Sequence, residues 1–223
     1  MSLRLIIFDL DGTLVDSSAD IMHALNYAVE PYSSRRFTVQ ETITLVGEGI
    51  PRLIEKITPG TDEQTRAKVM ERFTHHYVTH LLDHTTVYPG IQETLAGLSD
   101  YRKAVVSNKR EFLSKMVLEG LGLSGYFDVV IGSDSVAASK PSPIPLRKVL
   151  SDLHFQPDEA VMVGDSNYDV DAGKAAGVRT IAVTYGYRPI DAIKHADFLI
   201  DRMSDLIPLI KKLEGDEGGD TGQ

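Results

Sequence analysis

The chain has 223 residues and a formal charge of −9, from 23 basic against 32 acidic side chains, and 42% of it is hydrophobic. That is enough apolar matter for an ordinary globular core in one large domain or two small ones, and no apolar stretch approaches the roughly 20 residues needed to span a bilayer. The acidic balance argues against sequence-independent nucleic-acid binding, which needs a basic surface, and the absence of cysteine excludes disulfides, thiolate metal sites and thiol catalysis.

In chain order, Leu5-Ile6-Ile7-Phe8 reads as a buried strand that ends in Asp9-Leu10-Asp11-Gly12-Thr13. This first apolar run is too short for a signal peptide and stops at an acid, so a cytoplasmic protein is expected. From Ser17 to about Asp83 the periodicity is helical, with no convincing β run. After Tyr88-Pro89-Gly90 strands and helices alternate. Helix 90–99 leads to Ala104-Val105-Val106, helix 111–121 to Val129-Val130-Ile131, and helix 145–153 to Val161-Met162-Val163. Helix 169–176 leads to Thr180-Ile181-Ala182-Val183, and Phe198-Leu199-Ile200 reads as an edge strand before a last helix. Short apolar strands alternating with helices predict an α/β, Rossmann-like parallel sheet with helices on both faces. Residues 1–15 and 88–213 are expected to form this core, 16–87 a helical insertion hinged near Asp16 and Tyr88, and the Gly- and Asp-rich 214–223 a disordered tail.

Strands of such a sheet share a carboxyl edge, where ligands bind. Asp9 and Asp11, Ser107-Asn108-Lys109, Lys140-Pro141, and Gly164-Asp165 with Asp169 all fall on that edge. Carboxylates this close repel one another unless a cation relieves them, which points to a divalent metal. Three or four acids around a hard cation, beside a hydroxyl, an amide and an ammonium, suit a phosphoryl group: metal and Lys140 balance its charge while Ser107 and Asn108 donate hydrogen bonds. Each part also has a structural reading, Asp165 or Ser166 as a helix N-cap and Asp16 as a cap for the next helix; the ordered set carries the argument, not one motif. His76 and His80, one helical turn apart among His75, His76, His80 and His84, read as a solvated helix face because no acid at suitable spacing completes a zinc site.

In this order the motifs resemble the haloacid dehalogenase superfamily of phosphohydrolases, from Leu5 to about Asp201, and Phe8-Asp9-Leu10-Asp11-Gly12-Thr13-Leu14-Val15-Asp16-Ser17 matches its first motif position for position. The resemblance implies Asp9 as nucleophile and Asp11 as general acid and base on an aspartyl-phosphate route. It implies Mg2+ held by the carboxylates of Asp9 and Asp165 and the main-chain carbonyl of Asp11, with Asp169 supporting from the inner or outer coordination shell. Ser107 and Lys140 would hold the phosphoryl oxygens, assisted by Asn108, and Gly12 and Thr13 would form the tight turn. An acid at position 11, where dehalogenating members carry an aromatic residue, implies phosphate-ester chemistry. The helical insertion resembles the cap of small-molecule phosphatases, and its Gly47-Glu48-Gly49 loop with Arg52 resembles the phosphoglycolate phosphatase group, with Arg52 placed to meet a second anionic group. A small phosphorylated metabolite is the expected partner, for a monomer or homodimer that binds neither nucleic acid nor membrane. Alternatives are a pyrophosphatase or sugar phosphomutase of the same superfamily, or a non-catalytic phosphate-binding module. Mutases of this resemblance usually carry Thr and His after the first motif, whereas this chain has Leu14-Val15-Asp16-Ser17-Ser18.

Overall fold

The computed structural model describes residues 3–216. In chain order the elements are β1 (Leu5–Phe8), β2 (Val15–Asp16), α1 (Ser18–Val29), α2 (Val39–Leu45), α3 (Ile50–Ile57), α4 (Glu63–Thr79), β3 (Thr86–Val87), α5 (Ile91–Gly97), β4 (Arg102–Val106), α6 (Glu111–Gly120), β5 (Val129–Ile131), α7 (Ile144–Leu153), β6 (Ala160–Gly164), α8 (Asn167–Ala176), β7 (Arg179–Val183), α9 (Ile190–Ile193), β8 (Phe198–Ile200) and α10 (Leu206–Asp216).

Six strands form one sheet in the order β5-β4-β1-β6-β7-β8, every pair parallel. β1 is central and fully buried, and its side chains alternate between two core layers: Ile6 and Phe8 on one face, Leu5 and Ile7 on the other. That two-sided burial is why the strand reads as a continuous apolar run rather than an alternating one. The chain leaves β1 toward β4 and β5, then crosses back to β6, so the switch in strand order falls beside β1.

The segment between β1 and β4 carries α1 to α4. In α1, Ile21, Ala24, Leu25 and Ala28 fall on one face, and α4 packs along it through Val69, Phe73 and Tyr77. The segment is not purely helical: β2 pairs antiparallel with β3, Val15 opposite Val87 and Asp16 opposite Thr86. Two-residue strands are too short to show a period, which is why the sequence hides them at the predicted hinges. Asp16 Oδ1 accepts from the Ser18 amide at 3.0 Å and caps the start of α1.

Asp20 ties α1 to the chain returning toward the core. Its buried carboxylate accepts from the amides of His84 and Thr85, from Thr85 Oγ1 at 2.7 Å and from the His84 ring at 2.9 Å. Burial raises its pKa, but these hydrogen bonds outweigh it and hold the carboxyl below its ordinary value. The stabilisation is therefore present above the unfolded carboxyl's pKa and is lost as the pH falls through the lower folded value. Asp20→Ala, which strands the buried Thr85 amide and hydroxyl and the half-buried His84 amide, is expected to cost about 2–4 kcal/mol in urea denaturation at neutral pH; a loss below about 0.5 kcal/mol would show that water replaces the carboxylate.

The tail differs from expectation where it can be compared. α10 continues through Asp216, and the Tyr101 hydroxyl donates to Glu214 Oε2 at 3.0 Å, so residues 214–216 are helical. Residues 217–223 lie outside the described part. Among the described residues no helix is long and apolar enough to cross a membrane.

Candidate active site

Strand register builds the site. Phe8 is level with Val105 of β4 and Val163 of β6, so the chain emerges from three adjacent strands as Asp9, Ser107 and Asp165. Hydrogen bonds fix the exits: the Asp9 amide donates to Val163 O and the Ser107 amide to Ile131 O, each at 2.9 Å. α8 then starts at Ser166, its N-cap, in a capping box whose other half is Asp169. Helix entry thus carries Asp169 back to the strand ends, where Asp9, Asp165 and Asp169 offer carboxylate oxygens all within 4.8 Å of one another.

Lys140 holds this cluster together. Its Nζ donates to Asp9 Oδ1 at 2.8 Å, Asp169 Oδ1 at 2.6 Å and Val106 O at 2.6 Å, and the side chain is buried. Burial pushes the Asp9 carboxyl up to about 7 even with Lys140 opposing it, and Asp165 is driven well above the carboxylate range by burial and the neighbouring Asp9 and Asp169. Burial disfavours the Lys140 ammonium, yet Asp169 and Asp9 keep it above its ordinary value. One ammonium among three acids leaves an excess of negative charge. An all-oxygen, acid-rich set of this kind fits a hard divalent cation such as Mg2+.

Asp11 lines the same cavity with partners of its own. Its Oδ1 accepts from Ser17 Oγ and from Lys109 Nζ, each at 2.6 Å. The turn that follows Asp11 needs Gly12: its φ is +86°, and a Cβ there would come within 2.4 Å of Asp165 Oδ2. Asp165 Oδ2 accepts from the Tyr187 amide at 2.6 Å, and the Tyr187 hydroxyl donates to Asp16 Oδ1 at 3.1 Å while accepting from the Ser17 amide at 2.9 Å.

A cavity of about 680 Å³, counting its open mouth, lies over these groups. Its floor carries Asp9, Asp11, Ser107, Lys109, Lys140 and Asp165; its roof is apolar, with Ile21, Ile50, Leu53 and Phe73 from the helical segment. Several sequence-predicted residues converge here, but not all as expected. Asn108 commits its side-chain amide nitrogen to Gly47 O at 2.8 Å and Lys140 O at 2.9 Å, so its side chain braces two loops. Gly47 and Gly49 line the cavity, whereas Glu48 pairs with Lys56. Arg52 is outside the cavity lining: α3 turns Leu53, Ile54 and Ile57 inward, which leaves Arg52 64% exposed and paired with Glu55. The histidines of α4 are used in stacking, His76 against Tyr27 at 4.4 Å and His80 at 4.2 Å; acids do stand beside two of the group, Asp83 at His80 and Asp20 at His84.

Sequence reasoning missed Lys109, Ser17, Tyr187 and Arg188. Lys109 adjoins Ser107 and Asn108, so its position was marked although its partner was not. Tyr187 and Arg188 follow β7 at the same carboxyl edge but stand in no recognisable motif.

This fold and acid set define a class. The family of haloacid dehalogenase-like hydrolases matches residues 6–183, and the chain belongs to it. Within that family it stands with the phosphatases. It is 39% identical over 210 residues to the phosphoglycolate phosphatase of Aquifex aeolicus, covering 93% of this chain and 97% of that one. It is 31% identical over 219 residues to the pyrophosphatase PpaX of Bacillus mycoides, covering 96% of this chain and 100% of the relative. Among solved structures, that of a "predicted phosphoglycolate phosphatase" from Haemophilus somnus superposes with a TM-score of 0.86 at 27% identity, over 94% of this chain and 98% of that one.

Proposed function

We propose that the protein is a Mg2+-dependent phosphatase of a small phosphorylated metabolite, with 2-phosphoglycolate the leading substrate, working through an aspartyl-phosphate. The observation that carries this reading is the buried Asp9, Asp165, Asp169 and Lys140 cluster with Asp11 beside it under a small-molecule cavity. Asp9 attacks phosphorus, and the alcohol leaves with a proton from Asp11. Asp11 then takes a proton from the water that cleaves the aspartyl-phosphate, which restores Asp9. Lys109 and Ser17 both bond Oδ1 of Asp11, which leaves Oδ2 for the travelling proton. Lys140 and Ser107 stabilise charge on the phosphoryl oxygens. Mg2+ would be held by the carboxylates of Asp9 and Asp165 and the Asp11 carbonyl, with Asp169 in support, and would supply the positive charge that these acids lack. The segment 16–87 serves as a cap that shields the reaction from water, on a core of 1–15 and 88–213. Relatives named as pyrophosphatases favour pyrophosphate as a second reading.

The test is phosphate release from a panel containing 2-phosphoglycolate, pyrophosphate and neutral phosphate esters, with and without Mg2+. Preference for 2-phosphoglycolate supports the first reading and preference for pyrophosphate the second; no Mg2+-dependent release from any member overturns both.

Acid pKa values predict how the metal acts on stability. Asp9 and Asp165 are raised in the fold, so they favour the metal-free folded state at low pH, and that stability is lost as the pH rises above the ordinary carboxyl value, through about 7 for Asp9. Mg2+ must displace these protons when the pH is low. Saturating Mg2+ is therefore expected to raise Tm by several degrees near pH 8 and by much less near pH 5.5. Equal shifts at both pH values, by scanning fluorimetry, would place the metal elsewhere.

A further inference from the structure

Three cations line the cavity, and two of them are matched by carboxylates: Lys140 by Asp9 and Asp169, Lys109 by Asp11. Arg188 is the exception. Its Nη1 donates to Ile43 O at 2.8 Å and its Nη2 to Val46 O, both neutral main-chain acceptors near the end of α2. Among the described residues no carboxylate pairs with it, and a guanidinium has more N–H groups than these two bonds use. Arg188 is packed in place: a Cβ on Gly47 would lie 2.8 Å from Nη2 and 3.2 Å from the Tyr168 ring, so the glycine makes room for both. Its charge is felt at the acid cluster, where burial dominates the upward shift of Asp165 and Arg188 works against it.

A substrate whose phosphoryl group sits at Asp9 and Lys140 therefore finds an apolar roof and a single cation with no carboxylate bonded to it. We propose that Arg188 is the specificity-determining residue, binding an anionic tail of the substrate, a carboxylate a few bonds from the phosphoryl group. The assignment rests on the phosphatase reading and takes over the role that the sequence suggested for Arg52. A guanidinium matches a carboxylate with paired N–H donors, and a dry site strengthens the pair. The same side chain already anchors the Ile43–Val46 backbone, so one residue would join tail recognition to placement of the roof.

Binding tests this without turnover. Calorimetry with Mg2+ compares 3-phosphonopropionate, which carries a carboxylate, with propylphosphonate, which does not. The wild type is expected to favour the carboxylate by about tenfold or more, the scale of a charge-assisted pair. In Arg188→Gln, which keeps an amide donor for the main-chain carbonyls and loses the charge, the ratio should fall to about one; Arg188→Lys, which keeps the charge but loses the paired donors, should fall between the two. A wild-type ratio near one overturns the proposal whether or not either variant folds, and so does a ratio that survives in Arg188→Gln. Hydrolysis of 2-phosphoglycolate and 2-hydroxyethyl phosphate is measured in parallel. If neither is cleaved while the binding contrast holds and vanishes in Arg188→Gln, the assignment of Arg188 stands and the catalytic reading falls.

Discussion

Asp9→Asn is expected to lower phosphate release by at least about 10³-fold, because an amide cannot form the acyl-phosphate on which the two-step route depends. The same substitution should not destabilise the metal-free protein. Asp9 is one of three crowded acids, its carboxyl is pushed up to about 7 by burial, and an Asn Oδ1 can still accept from Lys140. Removing a charge that the fold disfavours leaves Tm equal to or above that of the wild type. The Mg2+-induced rise in Tm should shrink in the variant, since a metal-facing carboxylate is gone. Parallel measurement of phosphate release, metal-free Tm and the Mg2+ shift separates the cases. A variant that folds, binds phosphonates and still turns over at more than a tenth of the wild-type rate would remove Asp9 from the nucleophile's place.

Lys140→Met acts in the opposite sense on stability. The ammonium is buried and bonded to Asp9, Asp169 and the Val106 carbonyl, so its loss leaves two carboxylates and a carbonyl without their shared donor. Breaking a buried pair from one side costs about 3–5 kcal/mol, which is a large part of an ordinary domain's stability. Part of this should return with Mg2+, because a divalent ion supplies the charge that the lysine supplied, and part with acid, because protonation relieves the acids. Activity should drop at least about 100-fold with the metal bound, since Lys140 also neutralises charge on the phosphoryl group. Urea denaturation with and without Mg2+, at pH values on either side of 7, checks both effects. A variant as stable as the wild type without metal would mean that the acids are held together by something other than Lys140.

How far the site was legible depended on whether a residue acts through its neighbours in sequence. Asp9, Ser107 and Asp165 each follow an apolar run directly, and in a parallel sheet such runs end on one edge, so their convergence could be derived from strand order alone. Asp169 was marked by its place after Gly164-Asp165, while the capping box with Ser166 that turns it back to the strand ends appears only in the structure. Asn108 was found but its partners were not: they are the carbonyls of Gly47 and Lys140, 61 and 32 residues away. The Arg52 expectation failed through helix phase. With Leu53, Ile54 and Ile57 turned inward, Arg52 has only the outer face, and the start of α3 that sets this phase is a Gly49 with φ +82°.

By itself, then, the sequence determined the parallel α/β core, its helical insertion after the first strand, the family and the acids gathered at the sheet's carboxyl edge. Each of these follows from local periodicity and from motifs a few residues long, where side-chain direction is set by strand or helix geometry. Only the tertiary structure decided which cation serves which acid. Lys109 belongs to Asp11, Lys140 to Asp9 and Asp169, and Arg188 to the carbonyls of Ile43 and Val46. Those pairings span 98, 131, 29, 145 and 142 positions, and long flexible side chains find partners by burial and proximity rather than by spacing in the chain.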